Sequence, residues 1–398
     1  MNLFDDVLNR QRELLREQGL HRELRRVDSP QSPRIEIGGK TLLNFSSNDY
    51  LGLANDPALK KAAIKAVEKF GTGSGASRLI CGSLAPHHEL EETLAHFKKT
   101  GAALTFSSGY AAAIGAICAL LGRNDIIILD KLVHASIVDA AKLSGAKLRI
   151  FAHNDLDDLE KILKWSDKES RHPSPVTRHI LIVTESIFSM DGDRAPLREI
   201  VALKERHGAW LMVDEAHATG LYGKNGRGLA EELGVAGQIE IQMGTLGKAL
   251  GSSGGYICGS RPLVDFLVNR ARSFIFSTAP VPAAAAATTA GIRFVQSGKG
   301  KARRDLLWRL VRQFNSKLKP QNSKSAGAII PLIVGDEDKA VEFAASLHGQ
   351  NIFIPAIRYP TVARGRARLR VTLTAAHSAE DVSKLSAALA GFKFKIES

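Results

Sequence analysis

Continuous apolar runs alternate with amphipathic segments through the middle of the chain, between residues 100 and 260. The runs are IIILD (126–130), KLRIF (147–151), HILIVTE (179–185), WLMVDE (210–215), IEIQMGT (239–245) and GGYICG (254–259). Strands that are apolar at every position are typical of a parallel sheet, because helices cover both of its faces. Segments 155–165 and 196–206 have the spacing of helices. The pattern therefore predicts an α/β domain built on a parallel sheet.

The two ends of the chain have a different pattern. Residues 1–26 alternate charge and leucine with helical spacing, which predicts an amphipathic helix ending near Gly19, and a short strand follows in TLLNF. Beyond an alanine-rich helix at 282–290, the pattern predicts helices at 301–318, 336–349 and 378–391, with strands in AIIPLIVG, NIFIPAI and RLRVTLT. We divide the chain into an arm with a helix and a short strand (1–45), a large α/β domain (46–284) and a smaller α+β domain (285–398).

Composition narrows the class of protein. The 398 residues include 54 Lys and Arg against 41 Asp and Glu, a net charge of +13 that favours anionic ligands. A nucleic-acid-binding protein would add interleaved aromatic residues or a known reader module, but aromatic residues make up only 6% and no such module is present. The amino terminus has no signal-peptide pattern, and the longest apolar stretch, GYAAAIGAICALLG, is too short for a membrane span. We expect a cytoplasmic protein that binds neither nucleic acid nor membrane.

The cysteines carry little chemistry. Cys81, Cys118 and Cys258 are far apart and odd in number, so neither a disulfide framework nor a metal site is expected. Each has apolar or small neighbours, which predicts core positions.

Reactive side chains follow four of the predicted strands. They are Lys131 and His134 after the first, Ser186, Ser189, Asp191 and Asp193 after the third, Asp214, Glu215 and His217 at the fourth, and Thr245 and Lys248 at the fifth. Ligands of open α/β sheets gather at the carboxyl ends of strands. The sequence therefore predicts one site that combines a lysine, carboxylates, histidines and hydroxyl groups.

Two of these residues have a chemical interpretation of their own. Lys248 lies in GTLGKALGSSGG, and a poorly hydrated lysine there could lose its proton and attack a carbonyl, although a lone loop lysine is more often solvated. Asp214 ends an apolar strand, so its buried carboxylate would need a cationic partner such as a protonated pyridine nitrogen, or it could simply cap the next helix. The string DEAH (214–217) also occurs in ATPases, but the required upstream GxxxxGK[ST] loop is absent.

Other segments leave two interpretations open. SSGYAAAIGA (107–116) is a turn entering a helix, which suits a phosphate at the helix start, tight helix packing, or both. Arg368 and Arg370 alternate on one strand, so they form either a solvated edge or a carboxylate-binding pair.

Taken together, these motifs resemble those of the α-oxoamine synthases, fold-type I enzymes that depend on pyridoxal 5′-phosphate (PLP). The matching strings are NFSSNDYLGL, GTGSGASR, HASIVDAA, TESIFSMDGD, LMVDEAHATG, GTLGKALGSSGG and IRYPTVARGRARLRVTLTAAH, and they cover nearly the whole chain. The resemblance implies a fold-type I PLP-dependent transferase, with a large, mostly parallel sheet domain and a smaller α+β carboxy-terminal domain.

The resemblance also implies roles for individual residues. Lys248 would form the Schiff base with PLP, Asp214 would pair with the pyridine nitrogen, and His134 would stack on the ring. His217 and Ser189 would approach the phenolic oxygen. The remaining positions would line the phosphate and ring pocket (Gly109, Tyr110, Thr245), hold the amino acid carboxylate (Arg370, Asn48) or contact the acyl donor (Arg22, Thr361). The family builds its sites at a homodimer interface, so a partner subunit could supply Thr245.

The implied reaction is a decarboxylative condensation of an amino acid with an acyl thioester. The carboxy-terminal string is most similar to members that join L-alanine to a pimeloyl thioester, of coenzyme A or acyl carrier protein, in biotin synthesis. A sister enzyme such as 2-amino-3-ketobutyrate ligase, which uses glycine and acetyl-coenzyme A, is the alternative, and 5-aminolevulinate synthase and serine palmitoyltransferase are further candidates.

Overall fold

The computed structural model describes residues 3–170, 178–318 and 327–394. Residues 1–2, 171–177, 319–326 and 395–398, which belong to the three predicted domains, lie outside the described residues. The helices are α1 (Leu3–Glu17), α2 (Pro57–Phe70), α3 (Ala85–Lys98), α4 (Gly109–Leu120), α5 (Ala135–Ser144), α6 (Leu156–Ser170), α7 (Leu197–Arg206), α8 (Leu229–Leu233), α9 (Arg261–Arg270), α10 (Arg272–Ile275), α11 (Pro282–Gln296), α12 (Gly298–Lys317), α13 (Glu337–Gly349) and α14 (Ala379–Leu389).

A seven-stranded sheet forms the centre of the molecule, with strand order β3-β9-β8-β7-β6-β4-β5. Its strands are β3 (Ala102–Phe106), β4 (Ile126–Asp130), β5 (Lys147–Phe151), β6 (Ile180–Glu185), β7 (Trp210–Asp214), β8 (Ile241–Thr245) and β9 (Gly255–Gly259). All six predicted apolar runs are confirmed as strands, while β3 was not predicted. Pairing is parallel from β5 to β8, but β9 runs antiparallel to both of its neighbours. The sheet is therefore mostly parallel.

The continuously apolar character of the central strands follows from helices on both faces. In β4, Ile126 and Ile128 belong to one hydrophobic cluster, whereas Ile127 and Leu129 belong to another. Successive side chains of a strand point to opposite faces, so each face of β4 has its own core. Edge strand β5 is an exception, because most of its positions are at least partly accessible.

Two small sheets accompany the large one, and the first of them connects the two ends of the chain to each other. One contains β1 (Arg34–Ile37), β2 (Lys40–Asn44) and β11 (Ile352–Phe353), and the other contains β10 (Ile329–Gly335), β13 (Ala367–Thr372) and β12 (Ala356–Ile357). The predicted strand NIFIPAI is therefore two short strands that pair in different sheets. Through β11, the amino-terminal arm is bound to the carboxy-terminal part of the chain.

The predicted amphipathic arm helix is confirmed as α1, but none of its residues is buried in the single chain. The core prediction for the cysteines holds for Cys258, which is buried, and is wrong for Cys81, which lies exposed in a loop between α2 and α3. Within the described ranges, no helix is long and apolar enough to cross a membrane. The same ranges contain no group of three or more His, Cys, Asp or Glu arranged to hold a metal ion.

Candidate active site

Lys248, beyond the carboxyl end of β8, is one end of a hydrogen-bonded chain that has His217 at its centre. Its Nζ is 2.7 Å from Nε2 of His217, and Nδ1 of His217 is 2.6 Å from the Tyr50 hydroxyl. Burial lowers the pKa of Lys248 to about 8, against the raising effect of the Asp214 and Glu185 carboxylates. Burial, and next the charge of Lys248, hold the pKa of His217 well below its usual value. The site thus presents a lysine that can become a neutral amine close to neutral pH, beside a neutral imidazole.

Two buried carboxylates lie side by side at the ends of β6 and β7. Glu185 and Asp214 are aligned partners in the parallel ladder. Oδ1 of Asp214 accepts a hydrogen bond from the Ala216 N–H at 2.9 Å. Burial raises the pKa of both groups, and repulsion by Asp214 raises that of Glu185 further. Two carboxyl groups in one buried site do not both ionise unless positive charge accompanies them.

Glu185 also organises the neighbouring loops. Its Oε2 accepts a hydrogen bond from the Ser189 N–H at 3.2 Å. Burial raises the pKa of Glu185, and the nearby backbone of His134 acts in the opposite direction. Its Oε1 has no hydrogen-bond partner within the described residues. His134 caps α5, where Nδ1 accepts from the Ser136 N–H at 3.2 Å. One buried carboxylate therefore fixes Ser189 and lies close to His134, both of them predicted cofactor-binding residues.

The start of α4 forms the other side of the site. Ser108 caps this helix by accepting from the Ala111 N–H, and Gly109 is its first residue. A Cβ at Gly109 would lie 3.8 Å from Met243 and from Thr245, in ordinary van der Waals contact, so the start of α4 lies beside the end of β8. The first N–H groups of a helix have no partner within the helix. Thr245 thus lies beside Gly109 within one chain, and its hydroxyl donates to the Gly254 carbonyl at 3.0 Å.

These groups fit PLP. The amine of Lys248 suits its aldehyde, and Glu185, whose Oε1 has no hydrogen-bond partner within the described residues, forms with Asp214 a buried carboxylate pair that a further positive charge would stabilise. A pyridinium nitrogen would supply that charge, and a helix start is a favourable position for phosphate.

Arg370 reaches the site from β13. Its Nε donates to the Ser189 carbonyl at 2.7 Å, and its Nη1 donates to Oδ1 of Asn48 at 3.2 Å. Arg368, on the same strand, donates to the Met190 carbonyl and pairs with Asp191 at 2.6 Å. Both arginines are buried, so the solvated-edge alternative for them is wrong.

A cavity of about 890 Å³ adjoins these residues, and His134, Ser189 and Thr361 line it. Arg22 meets Thr361 at its edge, with Nη2 at 3.4 Å from the threonine hydroxyl. The arm is held there by Arg358, which donates to the Gly19 carbonyl at 2.9 Å. The predicted acyl-donor residues therefore form a pair at the cavity edge, separate from the chain of contacts around Lys248.

Tyr110 lies nearer the surface than the other predicted cofactor-binding residues. It is 46% exposed, and its hydroxyl donates to Oδ2 of Asp139 at 2.8 Å. Asp139 lines the same cavity. In the single chain, Tyr110 is therefore exposed and contacts a residue of the cavity wall, rather than being enclosed in a pocket.

Sequence reasoning missed two residues of this site, Tyr50 and Glu185. Glu185 could have been found, since it is the last residue of its apolar run, as Asp214 nearly is of the next one. Tyr50 carries no such signal, because 167 positions separate it from His217.

Comparison with known proteins agrees with the resemblance found in the sequence. Residues 40–389 match the family of class I and II aminotransferases. The chain is 48% identical to 8-amino-7-oxononanoate synthase of Geobacter sulfurreducens, over 94% of this chain and 95% of that protein. Serine palmitoyltransferase from S. paucimobilis, solved with a bound PLP-myriocin aldimine, superposes with a TM-score of 0.89 at 31% identity, over 98% of this chain and 97% of that one. The 8-amino-7-oxononanoate synthase of Francisella tularensis superposes with a TM-score of 0.72 at 27% identity, over 87% of this chain and 96% of that one.

Proposed function

The chain belongs to the aminotransferase class I and II family, and from this premise we propose that it condenses L-alanine with a pimeloyl thioester. It is a PLP-dependent C-acyltransferase with the activity of an 8-amino-7-oxononanoate synthase, a step of biotin synthesis. The observation that carries the proposal is the buried Lys248, whose pKa is lowered to about 8, beside His217 and the Asp214 carboxylate. The 48% identity to the Geobacter sulfurreducens synthase supports the choice of reaction.

The residues around Lys248 have complementary tasks. Lys248 would hold PLP through Nζ, Asp214 would hold the pyridine nitrogen, and the start of α4 would hold the phosphate. When bound, PLP supplies a ring that accepts the electron pair left at the α-carbon of the amino acid. Arg370 binds the alanine carboxylate, and Lys248, displaced by the substrate amine, removes the α-proton as a base whose lowered pKa suits neutral pH.

The second half of the reaction takes place next to the cavity. The α-carbon of alanine attacks the thioester carbonyl, and the thiol of the carrier leaves. The new β-keto acid then loses carbon dioxide, and a proton replaces it. His134 lines the cavity and lies near Asp214 and Lys248, whose charges both act on its pKa, so it is placed to stabilise the thioester oxygen or deliver that proton.

A substrate panel tests the proposal. The purified protein would receive L-alanine, glycine or L-serine, each with pimeloyl-coenzyme A, and the products would be followed by mass. The expected result is 8-amino-7-oxononanoate from alanine, and a pimeloyl carrier-protein arm compares the two carriers. Turnover of glycine with acetyl-coenzyme A but not of alanine would instead assign the sister ligase activity.

We further propose that the protein acts as a homodimer with its sites at the subunit interface. The arm helix α1 leaves Leu3, Phe4 and Val7 more than half exposed in the single chain. Sedimentation at several concentrations tests this, and a monomer at every concentration would contradict it.

A further inference from the structure

A histidine outside the predicted site bridges two carboxylates at the edge of the cavity. His153 follows β5, and its Nδ1 lies 2.9 Å from Oδ1 of Asp130 at the end of β4. Its Nε2 lies 2.8 Å from Oδ2 of Asp193, in the loop after β6. The ring packs edge-on against Phe188, with centroids 4.4 Å apart.

The geometry fixes the protonation state of this ring. An ionised carboxylate only accepts hydrogen bonds, so both ring nitrogens must carry a proton for both contacts to form. Burial lowers the pKa of His153, but the hydrogen bonds to Asp130 and Asp193 outweigh it and raise the pKa to about 10. His153 is therefore an imidazolium at neutral pH.

The loop held by His153 connects the large sheet to β13 of a small sheet. Residues 186–195 fold back on themselves, with a bridge between Ile187 and Arg194. Arg370 donates to the Ser189 carbonyl in this loop, while Arg368 pairs with Asp191. Displacing the loop would move the acceptor of the arginine that is to bind the amino acid carboxylate.

Asn154 adds a second attachment at the same place. Its N–H donates to Oδ2 of Asp130 at 2.9 Å, and its side-chain amide donates to Oδ2 of Asp193 at 2.9 Å. The end of β5 thus holds both carboxylates, but only His153 brings a charge of opposite sign to them.

We propose that His153 is a positioning residue, a doubly protonated bridge that fixes loop 186–195 on the sheet and so orients Arg370 for the amino acid. This role rests on the proposed function, since it concerns the binding of that substrate. The bridge contacts no reacting atom. It acts through Asp193, which sets the path of the loop, and through Ser189, whose carbonyl holds the guanidinium of Arg370.

Other charged groups line the cavity near the bridge. The cavity beside His153 is also lined by Lys131, Asp139, Asp191, Arg366 and Arg368. Arg368 is already paired with Asp191, at 2.6 Å. The bridge thus depends on Asp130 and Asp193, the carboxylates that face its two nitrogens.

The test compares His153→Gln with His207→Gln. His207 also contacts a carboxylate, Asp167 at 2.7 Å, but it lies just before β7, at the amino ends of the parallel strands rather than at their carboxyl ends. In holoenzyme carrying His153→Gln, backbone amides of residues 188–195 should exchange hydrogen about tenfold faster or more. The KM for L-alanine should rise about tenfold or more, the size expected when a binding group is misplaced. The His207→Gln control should change neither quantity.

These readouts separate positioning from a purely structural role. A residue needed only for folding would lower the active fraction, and so the apparent kcat, with KM and loop exchange unchanged. Nitrogen NMR of labelled histidines should show His153 doubly protonated at pH 8. A neutral His153 at that pH, or unaltered exchange and KM in His153→Gln, would overturn the proposal. If the wild-type enzyme does not use alanine, the function fails, while NMR and exchange still decide the bridge.

Discussion

At the scale of single residues, the site is defined by ionisable groups whose pKa values are shifted by burial. Lys248 has a lowered pKa, whereas burial raises the pKa of Asp214 and Glu185. Ionisable groups with strongly shifted pKa values cluster at sites where protons are transferred. Each group can be tested by a single substitution.

Lys248→Ala should remove covalent attachment of PLP, because no other amine lies in this chain of contacts. Purified variant protein should lack the visible absorbance of the bound cofactor and should show no turnover. Lys224→Ala, at an exposed lysine of a nearby loop, is the control and should keep both properties. A normal spectrum for Lys248→Ala would contradict the assignment.

The lowered pKa of Lys248 predicts a pH dependence. Below about pH 8 the amine is mostly protonated and cannot attack the aldehyde, and above it the neutral form predominates. Cofactor-free protein should therefore bind PLP covalently at a rate that rises from pH 6 and levels off above about pH 8. Stopped-flow absorbance would measure this, and a rate still rising toward the ordinary lysine pKa would show that burial does not act as described.

The two neighbouring carboxylates should respond differently to loss of charge. Burial raises the pKa of Glu185 well above its usual value, and Glu185→Gln keeps an oxygen that can accept from the Ser189 N–H, so kcat should stay within about threefold of wild type. Asp214→Asn should lower kcat by about 10²-fold or more, as removal of one preorganised electrostatic partner does. Steady-state kinetics would decide, and equal losses in both variants would show that Glu185 acts as an anion.

At the scale of elements, α3 is attached to the turn after β7 by a buried ion pair. Nζ of Lys98, at the end of α3, lies 2.5 Å from Oε2 of Glu215, with both side chains essentially inaccessible. Lys98 also donates to Thr219 and to the Arg227 carbonyl, and Oε1 of Glu215 accepts from the Ala230 N–H. This network fixes the turn that carries both Asp214 and His217.

Lys98→Met should lower the free energy of unfolding by about 3 to 5 kcal/mol, because it leaves Glu215 buried without a counter-charge. Urea titration of the folded protein would measure the loss. Lys301→Met is the matched control, since Lys301 pairs with Asp305 at 2.7 Å on the exposed surface of α12, where such pairs contribute at most about 1 kcal/mol. Similar losses of unfolding free energy in the two variants would show that the buried pair stabilises the fold no more than an exposed pair does.

Most of the strands and helices could be predicted from the sequence, and the exceptions have physical reasons. IIILD predicted β4 because the strand is covered on both faces, and the apolar runs 210–215 and 239–245 led in the same way to the strand-end residues Asp214, His217 and Lys248. β3 was missed because AALTF contains small and polar residues and does not stand out as an apolar run. The antiparallel direction of β9 has no signature, since a buried strand is apolar whichever way it runs. Contacts such as Tyr50 with His217 depend on the assembled fold.

At the scale of the whole molecule, the site combines residues from all three predicted parts of the chain. Arg22 comes from the arm, Asn48, Tyr50 and Lys248 from the large domain, and Arg370 from the smaller one. The division at residues 284 and 285 stays a prediction, and α11, which spans it, packs against α2, α3 and α12. The net charge of +13 is also a property of the whole molecule.

That charge predicts a difference in salt dependence between the substrates. Pimeloyl-coenzyme A carries several negative charges and should be attracted by the whole positive surface, so its KM should rise as sodium chloride is added. L-alanine has no net charge and binds at a buried arginine, so its KM should change much less. Initial-rate measurements at several salt concentrations would test this, with equal dependence for both substrates as the contrary result.

The exposed thiol of Cys81 gives the unmodified protein a built-in reporter. Cys118 is half-buried, and burial raises the pKa of the buried Cys258 thiol to about 12, so a maleimide dye should react first at Cys81. Leu79 and Ile80 beside it are exposed in the single chain. If a second subunit covers this loop, labelling will slow as protein concentration rises, and the rate curve will give the dissociation constant of the assembly without any engineered residue.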